Sequence, residues 1–172
     1  MGRFDDRAAI VTGGALGIGG GCARRLADDG ASVLIVDINE EAGLETVKEI
    51  RATGGKIELM IGDVADKLVA SEMVEKSMSL FGRLDLLVQN AYGGGPGSEG
   101  SAVDVTQEAW RKGMDLLVGA LYLGAKFGVP AMEESGADPN FDPPVWGGAG
   151  RRHGPRPREN VGRIVNMASV HG

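Results

Sequence analysis

A glycine-rich run near the N-terminus has the composition of a phosphate-binding turn. It extends from Thr12 to Gly19, and Gly13, Gly17 and Gly19 stand in it at T-G-x-x-x-G-x-G spacing. Glycines let the backbone turn tightly and approach a pyrophosphate, while the N-terminus of a following helix offers unpaired N–H groups with a partial positive charge. Three glycines alone also fit a turn that binds nothing, because short motifs match by chance.

A carboxylate farther along the chain favours the nucleotide-binding interpretation. Asp37 follows the apolar run 32–36, at the tip of a predicted strand. There a carboxylate can accept both hydrogen bonds of an adenosine ribose diol and would repel a 2′-phosphate. No basic residue stands at Ala15, Leu16 or Ile38 to neutralise that phosphate. The pattern favours NAD over NADP, and the alternative for Asp37 is a helix-capping or solvated acid.

The elements that must position these residues alternate between short apolar runs and longer amphipathic segments. This order is typical of a parallel sheet with crossover helices. We predict an α/β fold, with a doubly wound parallel sheet in the strand order 3-2-1-4-5. The predicted strands are 8–12, 32–36, 56–61, 84–88 and 161–167, and the predicted helices are 18–29, the segment between the cap Asn39 and Gly54, 66–81 and 106–132.

Two of the predicted helices carry expectations about their faces. In helix 66–81, the four residues Leu68, Val69, Met73 and Leu80 are predicted to point inward. Helix 106–132, which Thr106 can cap, is apolar on nearly every face. Because such a helix is normally covered all round, something must bury it.

The composition of the chain bounds its function classes. A length of 172 residues suits one domain, and a net charge of −6 argues against a nucleic-acid partner, since phosphate binding needs a surplus of Lys and Arg. Cys22 is the single cysteine and no Cys/His cluster has zinc spacing, so we predict a cytoplasmic protein without a structural metal. The longest uncharged apolar stretch, 116–125, covers half of the ~20 residues that a membrane span needs, and no membrane segment is predicted.

Residues 133–160 differ from the rest of the chain. Proline, glycine and arginine dominate there, without any periodicity. A structureless connection of that length is uncommon inside a compact domain. We therefore predict a single domain spanning 1–172 that contains a flexible insertion, or a lid, at about 133–160.

The chain resembles the short-chain dehydrogenases/reductases in motifs that follow in the family's order. They are the Thr12–Gly19 turn, Asp37, Asp63-Val64 after the third strand, Asn90-Ala91 after the fourth, and the run 162–169 at the fifth. The resemblance implies a Rossmann-type fold that binds NAD. It also implies hydride transfer between the nicotinamide and a secondary alcohol or ketone.

Roles for individual residues follow from the same resemblance. Asp63 and Val64 are expected to contact the adenine, and Asn90 and Ala91 to line the cofactor near its ribose. Ser169 is expected to be the catalytic serine, which hydrogen-bonds the reacting oxygen. The expected cofactor-binding residues are Thr12, Gly13, Ala15, Leu16, Gly17, Ile18, Gly19, Asp37, Ile38, Asp63, Val64, Asn90 and Ala91.

The sequence departs from the family at the chemical end of the site. The family's Tyr-x-x-x-Lys motif lies beyond its serine, and only three residues follow Ser169. Tyr122 and Lys126 fit the spacing, but their helix precedes the fifth strand, so a surface pair is the better interpretation. Leu117 stands where the family has an asparagine. We therefore expect a fragment, a truncated gene product or a damaged copy with impaired activity.

Two other functions remain open from the sequence. One is an NAD-binding module without catalysis, and the other is a methyltransferase, which also uses a glycine-rich turn and an acid after its second strand. The expected partners are a small alcohol or ketone and a second copy of the chain. Contact through helix 106–132 would form a homodimer or homotetramer, as it does in the family.

Overall fold

A computed structural model of the chain describes residues 2–93, 103–136 and 162–168. The strands are β1 (Ala8–Thr12), β2 (Ser32–Asp37), β3 (Lys56–Ile61), β4 (Leu86–Gln89) and β5 (Arg163–Asn166). The helices are α1 (Gly17–Asp28), α2 (Glu40–Ala52), α3 (Lys67–Phe81), α4 (Gln107–Met114) and α5 (Ala120–Ser135), with a π-helical turn (Asp115–Gly119) joining the last two.

The five strands form one parallel sheet. Its order, β3-β2-β1-β4-β5, confirms the predicted order 3-2-1-4-5. The central strand β1 is buried along its whole length. Thr12 at its end is paired with Val36 on β2 and with Gln89 on β4. The carboxyl ends of these strands therefore meet at one edge, where Asp37 ends β2 and Asn90 follows β4.

Alternate residues of each strand supply two cores, one on each face of the sheet. Ile10 and Leu34 belong to a cluster that includes side chains of α3 and α5. Their neighbours Val11 and Val33 belong to a second cluster with side chains of α1 and α2. Because successive side chains of a strand point to opposite faces, helices on both sides are needed to cover such continuous apolar runs.

Three helices begin with a side-chain cap. Asn39 accepts a hydrogen bond from the N–H of Ala42 at 3.1 Å, and Asp66 accepts one from Leu68 at 2.7 Å. Thr106 likewise accepts one from the N–H of Ala109 at 3.1 Å. These bonds satisfy amides that a helix start leaves unpaired. The predicted caps Asn39 and Thr106 are confirmed, and α3 begins one residue later than expected because Asp66 is its cap.

The inward face of α3 was only half predicted. Met73 is buried and Val69 packs against the core, but Leu68 is 70% exposed and Leu80 48% exposed. The prediction for the two leucines is therefore wrong. The buried residues Ala70, Met73, Val74 and Ser77 form the i, i+3, i+4, i+7 stripe that faces the sheet, and two of them are small.

The last helix continues beyond its predicted end at residue 132. α5 reaches Ser135, so the start of the predicted 133–160 insertion is helical. The hydroxyl of Ser135 donates to the carbonyl of Ala131 at 2.7 Å and accepts from the N–H of Leu84 at 2.8 Å. These bonds tie the final turn to the segment before β4. The rest of the predicted insertion, from residue 137, lies outside the described residues.

Only one face of this helix packs on the sheet. Gly124 approaches Gln89, Gly128 approaches Leu87, and both glycines are buried. The described residues of the chain do not supply the cover that the apolar composition of 106–132 calls for, because Trp110 is 60% exposed and other large apolar residues of this segment are exposed as well. The segment 107–135 is also long and apolar enough to cross a membrane, a test that core helices of soluble proteins pass as well.

Candidate cofactor site

The glycine turn between β1 and α1 leaves no room for side chains on its inner side. Gly13 has a φ of +63°, and a Cβ there would lie 2.8 Å from the Cα of Ala91. A Cβ on Gly19 would collide with the carbonyl oxygen of Gly13. Both glycines are therefore required by close backbone packing at the end of β1, independently of any ligand.

Gly17 differs, because its surroundings are open. Its φ is +55°, and a Cβ added there would meet nothing within 4 Å. A left-handed φ is costly for other residues, so this glycine is required by conformation and leaves a free approach to the backbone. Leu16 and Ile18 on either side are both exposed, at 61% and 65%.

The N-terminus of α1 is suited to an anion. No side chain caps it and its first turn carries no acid, in contrast to the side-chain caps of α2, α3 and α4. A helix start of this kind presents N–H groups and the positive end of the helix dipole. Together with the open backbone at Gly17, it fits the pyrophosphate of a dinucleotide.

Asp37 is held in a fixed orientation next to this turn. Its Oδ2 accepts a hydrogen bond from the N–H of Ala15 at 2.9 Å, and its Oδ1 accepts one from the N–H of Asn39 at 3.0 Å. A carboxylate has about four acceptor positions, so each oxygen keeps capacity for a second donor. The partly buried carboxylate can thus accept from a sugar diol without losing its anchors.

Thr12 joins the glycine turn to the end of β4. Its hydroxyl oxygen accepts hydrogen bonds from the N–H groups of Asn90 at 3.0 Å and Ala91 at 3.2 Å. The Asn90 side chain in turn donates to the carbonyl of Gly13 at 3.2 Å. These bonds hold Asn90 and Ala91 against the turn.

The segment after β3 lies at the same edge, although its side chains differ in exposure. The N–H of Gly62 donates to the main-chain carbonyl of Asp37 at 3.0 Å, which places the β3 end beside that residue. Asp63 is exposed and accepts from the N–H of Ala65 at 2.9 Å. The side chain of Val64 is 5% exposed and belongs to the core. Ile38, the residue after Asp37, is 74% exposed.

The chemical end of the site is described only up to Ala168. The N–H of Met167 donates to the carbonyl of Gln89 at 2.9 Å, so the end of β5 reaches the same edge of the sheet. The predicted catalytic serine, Ser169, lies outside the described residues. Tyr122 and Lys126 form the expected surface pair, with Lys126 Nζ 3.3 Å from Tyr122 Oη and Tyr122 61% exposed.

Two polar residues of the site were missed by sequence reasoning. Gln89 is buried, and its amide donates to the carbonyl of Leu121 at 3.3 Å and to Asn166 Oδ1 at 2.9 Å. Thr46 on α2 is buried against the glycine turn. The available signals were that Thr46 falls on the buried stripe of α2 with Val47 and Ile50, and that Gln89 directly follows the apolar run 86–88.

Residues 7–138 match the family profile described as short chain dehydrogenase. The chain belongs to the short-chain dehydrogenase family. An uncharacterized oxidoreductase of Thermotoga maritima is 38% identical over 134 residues, which cover 78% of this chain and 51% of the relative. A cyclohexanol dehydrogenase of an Acinetobacter species is 35% identical over 170 residues, covering 99% of this chain and 57% of the relative.

Solved structures of short-chain dehydrogenases agree with this assignment. Carveol dehydrogenase from Mycobacterium avium, in complex with NAD, superimposes with a TM-score of 0.71 at 26% identity, covering 78% of this chain and 52% of that one. The membership confirms the resemblance seen in the motifs, and it argues against the methyltransferase alternative. The chain spans about half the length of the short-chain dehydrogenases that it matches.

Proposed function

We propose that this protein is an NAD-dependent oxidoreductase acting on a secondary alcohol or ketone. The observation that carries the proposal is the anchored carboxylate of Asp37 beside an uncapped helix start. A carboxylate in this position accepts from the ribose hydroxyls of NAD and repels the 2′-phosphate of NADP. None of the three residues Ala15, Leu16 and Ile38 carries a positive charge that could bind that phosphate. The similarity to a cyclohexanol dehydrogenase supports a cyclic or other secondary alcohol as substrate.

The chain's own residues divide the work of binding. The turn from Gly13 to Gly19 and the first amides of α1 hold the pyrophosphate, and Asp37 holds the adenosine ribose. Asp63, Val64 and Ile38 border the adenine, with Val64 contributing its main chain because its side chain is in the core. When bound, the nicotinamide supplies the hydride acceptor or donor.

The substrate oxygen is assigned to Ser169, by its position in the family motif. A general base must also remove the alcohol proton. Within these 172 residues the Tyr-x-x-x-Lys spacing occurs only at Tyr122 and Lys126, which form an exposed pair on α5. We therefore propose that the 172-residue chain binds NAD but oxidises alcohols poorly.

A second candidate is an NAD-binding module without catalysis. Leu117 in place of the family asparagine favours it, since a leucine side chain cannot hold a water by hydrogen bonds. The two functions differ in turnover and share cofactor binding. The proposed cytoplasmic location is common to both.

Calorimetric titration of the purified chain with NADH and with NADPH tests the cofactor proposal. We expect heat of binding with NADH, and an affinity for NADPH at least about tenfold lower, equivalent to roughly 1.4 kcal/mol. Equal affinity for the two would contradict the role given to Asp37. Incubation with NAD and cyclohexanol, followed at the NADH absorbance, then separates the enzyme from the module. Rapid NADH formation would show that the 172 residues are catalytically sufficient.

A further inference from the structure

A buried threonine on α2 is bonded to the glycine turn from behind. Thr46 is 2% exposed, and its hydroxyl donates to the carbonyl oxygen of Ala15 at 2.7 Å. The N–H of the same Ala15 donates to Asp37 Oδ2 at 2.9 Å. The carbonyl of Ala15 is thus bonded to α2, while its N–H anchors the Asp37 carboxylate that is proposed to bind the ribose.

The hydroxyl of Thr46 is directed away from its usual local partner. In a helix, threonine commonly bonds the carbonyl four residues earlier, which here would be that of Ala42. The hydroxyl donates to the Ala15 carbonyl instead. Its oxygen accepts a hydrogen bond from Arg24 Nη2 of α1 at 3.3 Å. Arg24 is itself held by Glu49, whose Oε2 accepts from its Nε at 3.1 Å. With its oxygen accepting from Arg24, the hydroxyl hydrogen remains available for Ala15.

We propose that Thr46 is a positioning residue that sets the preference for NAD over NADP. It touches no part of the cofactor site's open face, because it lies beneath the turn. Its hydrogen bond fixes the position of the Ala15 main chain, and the N–H of Ala15 in turn fixes the orientation of the Asp37 carboxylate. Loss of this bond would leave the buried carbonyl of Ala15 without that partner, and the turn would shift to find another. Asp37 would then lose its orientation toward the sugar. This inference rests on the proposed function.

Thr46→Val tests the proposal, since it keeps the shape of the side chain and removes the hydroxyl. We expect the Kd for NADH to rise about tenfold while the Kd for NADPH changes less than about twofold, so that the ratio of the two shrinks. Thr46→Ser, which restores the donor, should return the ratio to within about twofold of the wild-type value. Calorimetry on the full chain measures both constants, and thermal unfolding is recorded for each variant.

Thr53→Val is the matched control. Thr53 is the C-cap residue of α2, and its hydroxyl donates to the carbonyl of Ile50 at 2.9 Å, away from the glycine turn. This variant should lower the melting temperature without altering the NADH to NADPH ratio. Should Thr46→Val fail to fold, Thr46→Cys replaces it, because a thiol is a much weaker donor, and the same direction of change is expected.

The outcomes distinguish the positioning role of Thr46 from the proposed function of the chain. An unchanged ratio in Thr46→Val, with folding intact, would overturn the positioning role while leaving the proposed function in place. An equal change in Thr53→Val would also overturn it, since any loss of stability in α2 would then suffice. Absence of NADH binding by the wild-type chain would instead contradict the proposed function itself.

Discussion

Asp37 carries the clearest consequence for a single residue. Replacing it by alanine removes the acceptor for the sugar and the charge that opposes a 2′-phosphate. We expect Asp37→Ala to weaken NADH binding at least about tenfold, in line with the ~1.5–3 kcal/mol of hydrogen bonds to charged groups. The difference in affinity between NADH and NADPH should become smaller. Asp28→Ala removes an equal charge from the far end of α1, where Asp28 is exposed. Calorimetric titration should show a loss of NADH affinity in Asp37→Ala and little change in Asp28→Ala. A similar loss of affinity in both variants would mean that only the net charge matters.

Thr12 is expected to act on stability. Its hydroxyl oxygen is the acceptor for two main-chain N–H groups, those of Asn90 and Ala91. Thr12→Val removes this acceptor and leaves the two N–H groups without it in a largely buried environment. We expect the free energy of unfolding to fall by about 1–3 kcal/mol. Urea denaturation measures this loss. Thr12→Ser should retain most of the stability, and a valine variant as stable as the wild type would mean that water replaces the hydroxyl.

At the residue scale, the sequence predicted the site residues that belong to strand-end motifs. It did not predict contacts between residues that are distant in the sequence. Thr12 and Asp37 end their strands, and Gly13 and Asn90 directly follow theirs, so all four lie at one edge of the sheet. Thr46 was missed since its partner, Ala15, lies 31 positions away in the chain. The buried stripe of α2 indicates that Thr46 is covered, but it does not indicate that the hydroxyl faces the glycine turn.

At the scale of the element, α1 offers a comparison between two glycines. A Cβ would meet nothing within 4 Å at Gly17 or at Gly21, but only Gly17 has a positive φ. Gly17→Ala should destabilise the protein by about 1–2 kcal/mol, the cost of a left-handed residue. Gly21→Ala should stabilise it by up to about 1 kcal/mol, because alanine is the better helix former. Thermal unfolding distinguishes the signs, and destabilisation by both would mean that α1 is constrained by contacts beyond the described residues.

The extents of several elements followed from local signals, whereas β4 begins at Leu86, two residues after its predicted start, and α5 extends further than predicted. β1 and β3 match their predicted bounds, since apolar runs and flanking glycines define them. α5 ran past residue 132 because Ser135 bonds to Leu84, a contact between distant segments. The leucines of α3 were misassigned because its stripe toward the sheet uses alanine and serine, so side-chain size misled the prediction.

At the scale of the whole molecule, the predicted sheet order is confirmed, and the predicted cover of the last helix by a second copy stays a prediction. Strands separated by helices indicate right-handed crossovers, and the order 3-2-1-4-5 is the one expected of a doubly wound, Rossmann-type sheet. The outer face of α4 and α5 depends on groups that the described part of the chain does not supply. Trp110, Val118 and Tyr122 are 60%, 53% and 61% exposed on that face. Large exposed apolar patches mark association surfaces, and we propose that a second copy of the chain covers this one.

Changing this face should alter the assembly without altering the cofactor site. We expect Trp110→Glu combined with Tyr122→Glu to lower the mass found by analytical ultracentrifugation, since two charges would have to be buried in the contact. NADH affinity should stay within about twofold, because neither residue belongs to the glycine turn. Leu68→Glu is the control, as Leu68 is 70% exposed on α3 and lies outside this face. An unchanged mass in the double variant, or a fall in mass with Leu68→Glu as well, would place the association elsewhere on the molecule.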